Sequence, residues 1–184
     1  LSIIEKIIKQ SQKDKKAISG LVNNAGIRQR LKFHQISKEK IKEIFEINFF
    51  SKFYLMQLIS KYFIKNKIEG SIVNIGSIVG KVGFNELAGY ASTKTALIGL
   101  TKSFASEMAP HKIRANIVNP GFTKTSFYEK FKGNKKLFNW TLSRIPLKRW
   151  AEPEEISNLI CFLLSSKSNY ITGECIDIDG GWTN

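Results

Sequence analysis

Tyr90 and Lys94 are the residues of this 184-residue chain whose types and spacing point most directly to chemistry. They stand four apart in a segment patterned as a helix, so they share one face. A phenol titrates near ~10 when unperturbed, too high for easy proton exchange at neutral pH. A neighbouring ammonium favours the phenolate and lowers that value. A tyrosine so tuned can act as general acid or base toward an alcohol or carbonyl oxygen. Ser77 stands 13 positions earlier at a strand exit, where its hydroxyl can donate to the same oxygen as charge develops there. Tyrosine and lysine four apart also recur on many helices with no chemical role, so the pair alone decides nothing. His34 and His111 have no catalytic geometry, and no metal site is expected. Cys161 and Cys175 stand on apolar stretches without metal-type or redox-type spacing. They read as buried thiols in a reducing compartment.

The elements that must position these groups follow from hydropathy. Ser2 to Gln12 carries Ile3, Ile4, Ile7 and Ile8 at helical spacing. Ile18 to Val22 is a short apolar run ending in Asn-Asn-Ala-Gly, a buried strand with its exit turn. Ser37 can cap a long helix with apolar positions at Ile41, Ile44, Phe45, Phe49, Phe53, Met56 and Phe63. Ser71 to Ile75 is a strand leading into Gly76 and Ser77. A helix from about Ala88 to Met108 is stopped by Pro110, and Ile113 to Val118 is a strand ended by Pro120-Gly121. Pro153-Glu154-Glu155 opens another helix, and Glu174 to Ile178 is the last strand. Alternating strands and helices, with no internal repeat, predict an α/β fold, a doubly wound parallel sheet with helices on both faces. In such sheets ligands bind at the carboxyl ends of the strands.

Composition narrows the function classes. Hydrophobic residues make up 42% and charged ones 24%, an ordinary globular balance that excludes disorder and collagen. No apolar run approaches the ~18 residues of a membrane span, and the Lys-rich start lacks a secretory cleavage site. With 29 Lys and Arg against 15 Asp and Glu, the formal net charge is +14. Such an excess suits nucleic acid, an anionic surface or acidic substrates, or equally a chain that spreads lysine over solvated faces. No basic and aromatic recognition motif accompanies the charge, so neither nucleic acid nor a membrane is an expected partner.

Several motifs occur in order: Leu21-Val-Asn-Asn-Ala-Gly26, Asn48, Ile75-Gly-Ser77, Tyr90-x-x-x-Lys94, Asn119-Pro-Gly121, Ile171-Thr-Gly-Glu174 and Asp179-Gly-Gly181. Together they resemble the short-chain dehydrogenase/reductase family over essentially the whole chain. Val73-Asn-Ile-Gly-Ser-Ile-Val-Gly80, Pro120-Gly-Phe-Thr-Lys-Thr125 and Arg149-Trp-Ala-Glu-Pro-Glu-Glu-Ile156 resemble its 3-oxoacyl-acyl-carrier-protein reductases in particular. The resemblance implies a Rossmann-type fold. It implies that Tyr90 passes a proton to the substrate oxygen, which Ser77 orients. Lys94 would hold the nicotinamide ribose and depress the tyrosine. Asn48 would break the long helix and hold a water linking Lys94 to solvent. Asn24 and Gly26 would lie against the cofactor's adenosine side. Pro120, Gly121, Thr123 and Thr125 would seat the nicotinamide. Asn116 reads as structural.

The implied function is an NAD(P)-dependent oxidoreductase of the cytoplasm. Its implied reaction is reduction of a 3-oxoacyl thioester in fatty acid synthesis, with NADP favoured over NAD. Hydroxyacyl coenzyme A, sugar and polyol substrates are the alternatives, as is an inactive remnant that only packs against subunits. The family's first strands and its Gly-rich turn are absent ahead of Asn23, where the only glycine is Gly20. A complete member would carry roughly 60 more residues ahead of Leu1, enough for the first βαβαβ half. Residues 1–184 are therefore expected to be one domain, the catalytic portion of the fold, unable by themselves to bind the dinucleotide tightly. Residues 123–150 read as a substrate lid with eight basic residues against Glu129 alone. Phe127, Tyr128, Phe131, Phe138 and Trp140 would supply apolar surface for an acyl chain. The lid's charge would suit an acidic carrier or a phosphorylated thioester. The helix from Ser37 is apolar over much of its girth around Phe49, Phe50, Phe53, Tyr54 and Met56, wider than one buried face needs. A dimer or tetramer is expected through this helix and that of Tyr90.

Overall fold

A computed structural model describes residues 2–125 and 128–184. Leu1, the side chain of Lys130, and Phe127 of the expected lid surface lie outside the described residues. Helix α1 (Ser2–Lys13) leads to β1 (Gly20–Asn23). Then come α2 (Lys38–Phe45), α3 (Ser51–Asn66), β2 (Ser71–Ile75), α4 (Ala88–Met108) and β3 (Arg114–Pro120). Short α5 (Tyr128–Gly133) and α6 (Lys135–Arg144) precede α7 (Pro153–Leu164) and β4 (Cys175–Ile178). The strands form one parallel sheet in the order β1-β2-β3-β4, as the alternation predicts. Among the described residues no helix is long and apolar enough to cross a membrane.

Strand alternation sends successive side chains to opposite faces, and each face has its own core. Ile72 and Ala115 pack with Met56, Ile59 and Phe63 of α3 and Ala105 of α4. Val73 and Val118 pack with Ile156 and Leu163 of α7. Local chemistry sets the boundaries. Ser37 Oγ accepts from Lys40 N–H at the start of α2. A capping box of Glu152 and Glu155, with Pro153 in the first turn, starts α7. The last strand begins one residue later than expected, because Glu174 N–H donates to Asn116 Oδ1. Asn116 Nδ2 in turn donates to the Ile171 carbonyl.

The long helix from Ser37 breaks at Asn48 into two α segments joined by a π turn at Glu46–Phe50, within which Asn48 is fully buried. Of its apolar girth, Phe50, Phe53 and Tyr54 are 40%, 40% and 44% exposed, whereas Met56 is buried, because Met56 faces the sheet with Ile59 and Phe63. Cys161 is exposed rather than buried and Cys175 is half-buried. The inward positions of α7 are taken by Ile156, Leu159, Ile160 and Leu163, and helical spacing turns Cys161 outward.

Candidate active site

The carboxyl ends of the strands open into one cleft of about 1580 Å³. Ser77 follows β2 directly and begins the turn Ile78–Gly80, where its Oγ accepts from Val79 N–H at 3.2 Å. Its own N–H donates to Asn119 Oδ1 at 3.2 Å. Asn119, fully buried at the end of β3, donates from Nδ2 to Asp177 Oδ1 and Cys175 Sγ. This bridge passes over Gly76, where a Cβ would fall 2.0 Å from Asn119 Oδ1. Glycine is required there by the close approach rather than by backbone angles.

Helix α4 carries Tyr90 and Lys94 along the same wall. Its first turns lie against Gly80, where an added Cβ would meet Lys94 Cβ at 2.9 Å. Lys94 is 4% exposed, donates from Nζ to the Ile75 carbonyl at 2.7 Å, and sits 5.5 Å from the Tyr90 ring centroid. Burial first, and then the charge of Lys52, pull Lys94 down to about 8. Burial pushes the Tyr90 phenol above its ordinary value, while the nearby Ser77 hydroxyl and the Arg28 charge pull it partly back. The expectation that Lys94 depresses the phenol is therefore corrected in two respects. Desolvation outweighs the attraction, and the cation that acts on the phenol is Arg28.

Behind this wall, Asn48 joins three elements. Its Oδ1 accepts from Ile27 N–H at 2.8 Å, and its Nδ2 donates to the Ile27 carbonyl at 2.8 Å and Thr93 Oγ1 at 3.2 Å. Both amide hydrogens thus have protein partners. Gly26 lies against it, where a Cβ would stand 3.1 Å from Asn48 Oδ1. Asn24, Gly26, Ser77, Tyr90, Lys94, Pro120, Gly121, Thr123 and Thr125 all line the cleft, and Asn48 does not.

Residues 123–150 differ from their expectation in both charge and apolar surface. Lys124 pairs with Glu152, and Arg149 with Glu155 at 2.6 Å, so the cap and first turn of α7 neutralise part of their charge. Tyr128 and Phe138 pack on Trp150 at ring-centroid distances of 5.3 and 5.7 Å and do not line the cleft. Phe131, Leu137, Trp140 and Arg144 do. Sequence gives no role to three residues of the site, although Asn119 stands in the Asn119-Pro-Gly121 motif. Asn119 has as its signal a polar residue ending a buried strand before Pro-Gly. Arg28 follows the Asn-Asn-Ala-Gly turn, where a charge next to a candidate site can be noticed. Lys52 sits among apolar residues and looks solvated in sequence.

A family model described as enoyl-(acyl carrier protein) reductase matches residues 2–183. The 3-oxoacyl-[acyl-carrier-protein] reductase of Thermotoga maritima is 39% identical over 179 residues, 97% of this chain and 70% of that protein. A 4-hydroxyisoleucine dehydrogenase complexed with NADH superposes with a TM-score of 0.91 at 36% identity, covering 98% of this chain and 74% of that one. The gluconate 5-dehydrogenase of Burkholderia cenocepacia, in complex with NADP and tartrate, superposes with a TM-score of 0.89 at 29% identity, covering 96% and 69%.

Proposed function

The chain belongs to the short-chain dehydrogenase/reductase family, and from that premise we propose that it reduces the carbonyl of a 3-oxoacyl thioester with NAD(P)H. The observation that carries the reading is the convergence of Ser77, Tyr90 and Lys94 on one wall of a single cleft. The cleft exceeds the roughly 300–1,000 Å³ of a site for one small ligand, leaving room for nucleotide and substrate together. An ammonium, the hydroxyls of Ser77, Thr123 and Thr125, and the amide of Asn24 line it, a donor set that fits a nucleotide's ribose and nicotinamide amide. When bound, the nicotinamide supplies the hydride that the substrate carbon accepts. Tyr90 hands its proton to the substrate oxygen, and its raised pKa keeps it protonated at neutral pH, as a general acid must be. Ser77 donates to the same oxygen, held in place by Asn119. Lys94 holds the ribose hydroxyls.

NADP is the favoured cofactor, residues 123–150 the substrate lid, and residues 1–184 one catalytic unit. The protein works as a dimer or tetramer in the cytoplasm, which suits its unpaired cysteines. A carrier-bound acyl group is supported by the Thermotoga relative and by the aromatic wall of Phe131 and Trp140. A second reading, a carboxylate-bearing sugar acid or hydroxy acid, is favoured by Arg28. That residue lines the cleft beside Tyr90 and makes no ion pair with an acid among the described residues. Steady-state kinetics on the intact protein with NADPH and NADH separate the two. The first reading expects kcat/KM to be highest for the carrier-bound thioester and to fall with salt. Equal kcat/KM for a neutral ketone at low salt refutes it. A higher value for a keto acid, lost in Arg28→Gln, establishes the second.

A further inference from the structure

Asp177 on β4 is a carboxylate that the proposed chemistry leaves unused, and two paths tie it to Ser77. Its Oδ1 accepts from Asn119 Nδ2 at 2.9 Å, and its Oδ2 accepts from Lys81 Nζ at 2.5 Å and Thr183 Oγ1 at 3.2 Å. Asn119 Oδ1 takes the Ser77 N–H. Lys81 ends the turn that Ser77 begins, where its own N–H donates to the Ile78 carbonyl at 2.9 Å. Ser77, Asn119, Asp177 and Lys81 therefore close a ring of contacts across the ends of β2, β3 and β4. The Lys81 side chain is 40% exposed, and an ion pair so solvated adds little stability. Stability alone does not account for it.

The ring decides which way the Asn119 amide faces. An amide offers an oxygen on one side and an NH2 on the other, and half a turn exchanges them. A carboxylate only accepts, so Asp177 Oδ1 holds Nδ2 toward itself and leaves Asn119 Oδ1 for the Ser77 N–H. Turned over, the amide would set two donors against each other at Ser77 and two acceptors at Asp177. Cys175 Sγ, 3.0 Å from Nδ2, is too weak an acceptor to fix the choice. Lys81 anchors the carboxylate through its other oxygen. At the far end of the chain of contacts, Ser77 Oγ accepts from Val79 N–H, which leaves its hydrogen for the substrate oxygen. We propose that Asp177 is a positioning residue: paired with Lys81, it orients the Asn119 amide and so fixes the backbone of Ser77 beneath the substrate oxygen.

The kinetic consequence rests on the oxidoreductase reading, so the deciding measurement does not need turnover. Amide hydrogen exchange of the intact protein, followed by NMR, reads the Ser77 N–H directly. In Asp177→Ala it should quicken by about tenfold or more, while Gly76 N–H (to Val118) and Arg114 N–H (to Gly70) stay within about threefold. With NADPH, kcat should fall by about tenfold or more while the cofactor KM stays within about threefold. Exchanging the two groups tests orientation itself. Asn119→Asp alone sets two carboxylates face to face. Combined with Asp177→Asn, it restores a donor facing residue 119, an acceptor for Ser77 N–H and an acceptor for Lys81. The double variant should therefore recover most of the Ser77 protection and kcat that Asn119→Asp loses. Unchanged Ser77 exchange in Asp177→Ala overturns the proposal, as does quickened exchange with an unchanged kcat, or a double variant no better than Asn119→Asp. Should Asp177→Ala not fold, Lys81→Met at the exposed end of the ring decides by the same Ser77 exchange. Absence of turnover in wild type, with the exchange rates as expected, refutes the proposed function and leaves the placement of Ser77 by Asp177 standing.

Discussion

Lys94→Met is expected to make the protein more stable at neutral pH while abolishing its proposed chemistry. The folded state holds Lys94 at about 8 against an ordinary 10.5. Each pH unit of difference corresponds to about 1.4 kcal/mol, so keeping this lysine charged in the fold costs about 3 kcal/mol at pH 7. The sign follows from proton binding. Between 8 and 10.5 the unfolded chain holds the proton and the folded chain does not, so stability rises with pH across that window. The full cost is present below 8 and is relieved as the pH approaches 10.5. Methionine matches the stem in length and flexibility but gives up the hydrogen bond to the Ile75 carbonyl, worth about 1 kcal/mol. The net gain is about 2 kcal/mol at pH 7, or about 4–8 °C in Tm for a chain of this size. Denaturant unfolding of the intact wild type and variant at pH 7 and pH 10 reads it directly. The variant's advantage must shrink toward zero, or reverse, at the higher pH. A variant less stable than wild type at pH 7, or an advantage independent of pH, refutes the reasoning.

Tyr90→Phe removes the proton donor but leaves the ring, so carbonyl reduction should fall by more than about a hundredfold while calorimetric affinity for NADPH stays within about threefold. Full turnover by the variant would end the assignment. At Gly121 a Cβ would stand 2.7 Å from the Asp179 Cα, so Gly121→Ala forces backbone apart and should lower stability by about 1–3 kcal/mol in a denaturant titration. The exposed Phe50, Phe53 and Tyr54 form the surface proposed to join subunits. Phe53→Glu should therefore shift sedimentation at micromolar concentration toward monomer, and a wild type already monomeric there argues against the interface.

The strands and helices were readable from sequence because their signals are local. Ser71 to Ile75 is a bounded apolar run, Pro110 stops α4, and Pro153-Glu154-Glu155 starts α7. Ser77, Tyr90 and Lys94 were readable for the same reason, since four residues on a helix and a strand exit carry their geometry with them. What sequence could not carry is environment. The phenol's shift depends on how deeply Tyr90 is buried and on Arg28, 62 positions away in the chain. The charge of residues 123–150 depends on Glu152 and Glu155, which lie just beyond them in sequence and reach back to Lys124 and Arg149. Cys161 was misplaced because hydropathy counts apolar neighbours and not the direction in which each one faces. Lys52 was unreadable because its partners, the carbonyls of Ala25 and Ile47, meet it only when the chain folds. Sequence determined which groups the protein has and the elements that carry them. Tertiary structure decided their solvation and their neighbours, because electrostatic energy depends on distance and dielectric in three dimensions.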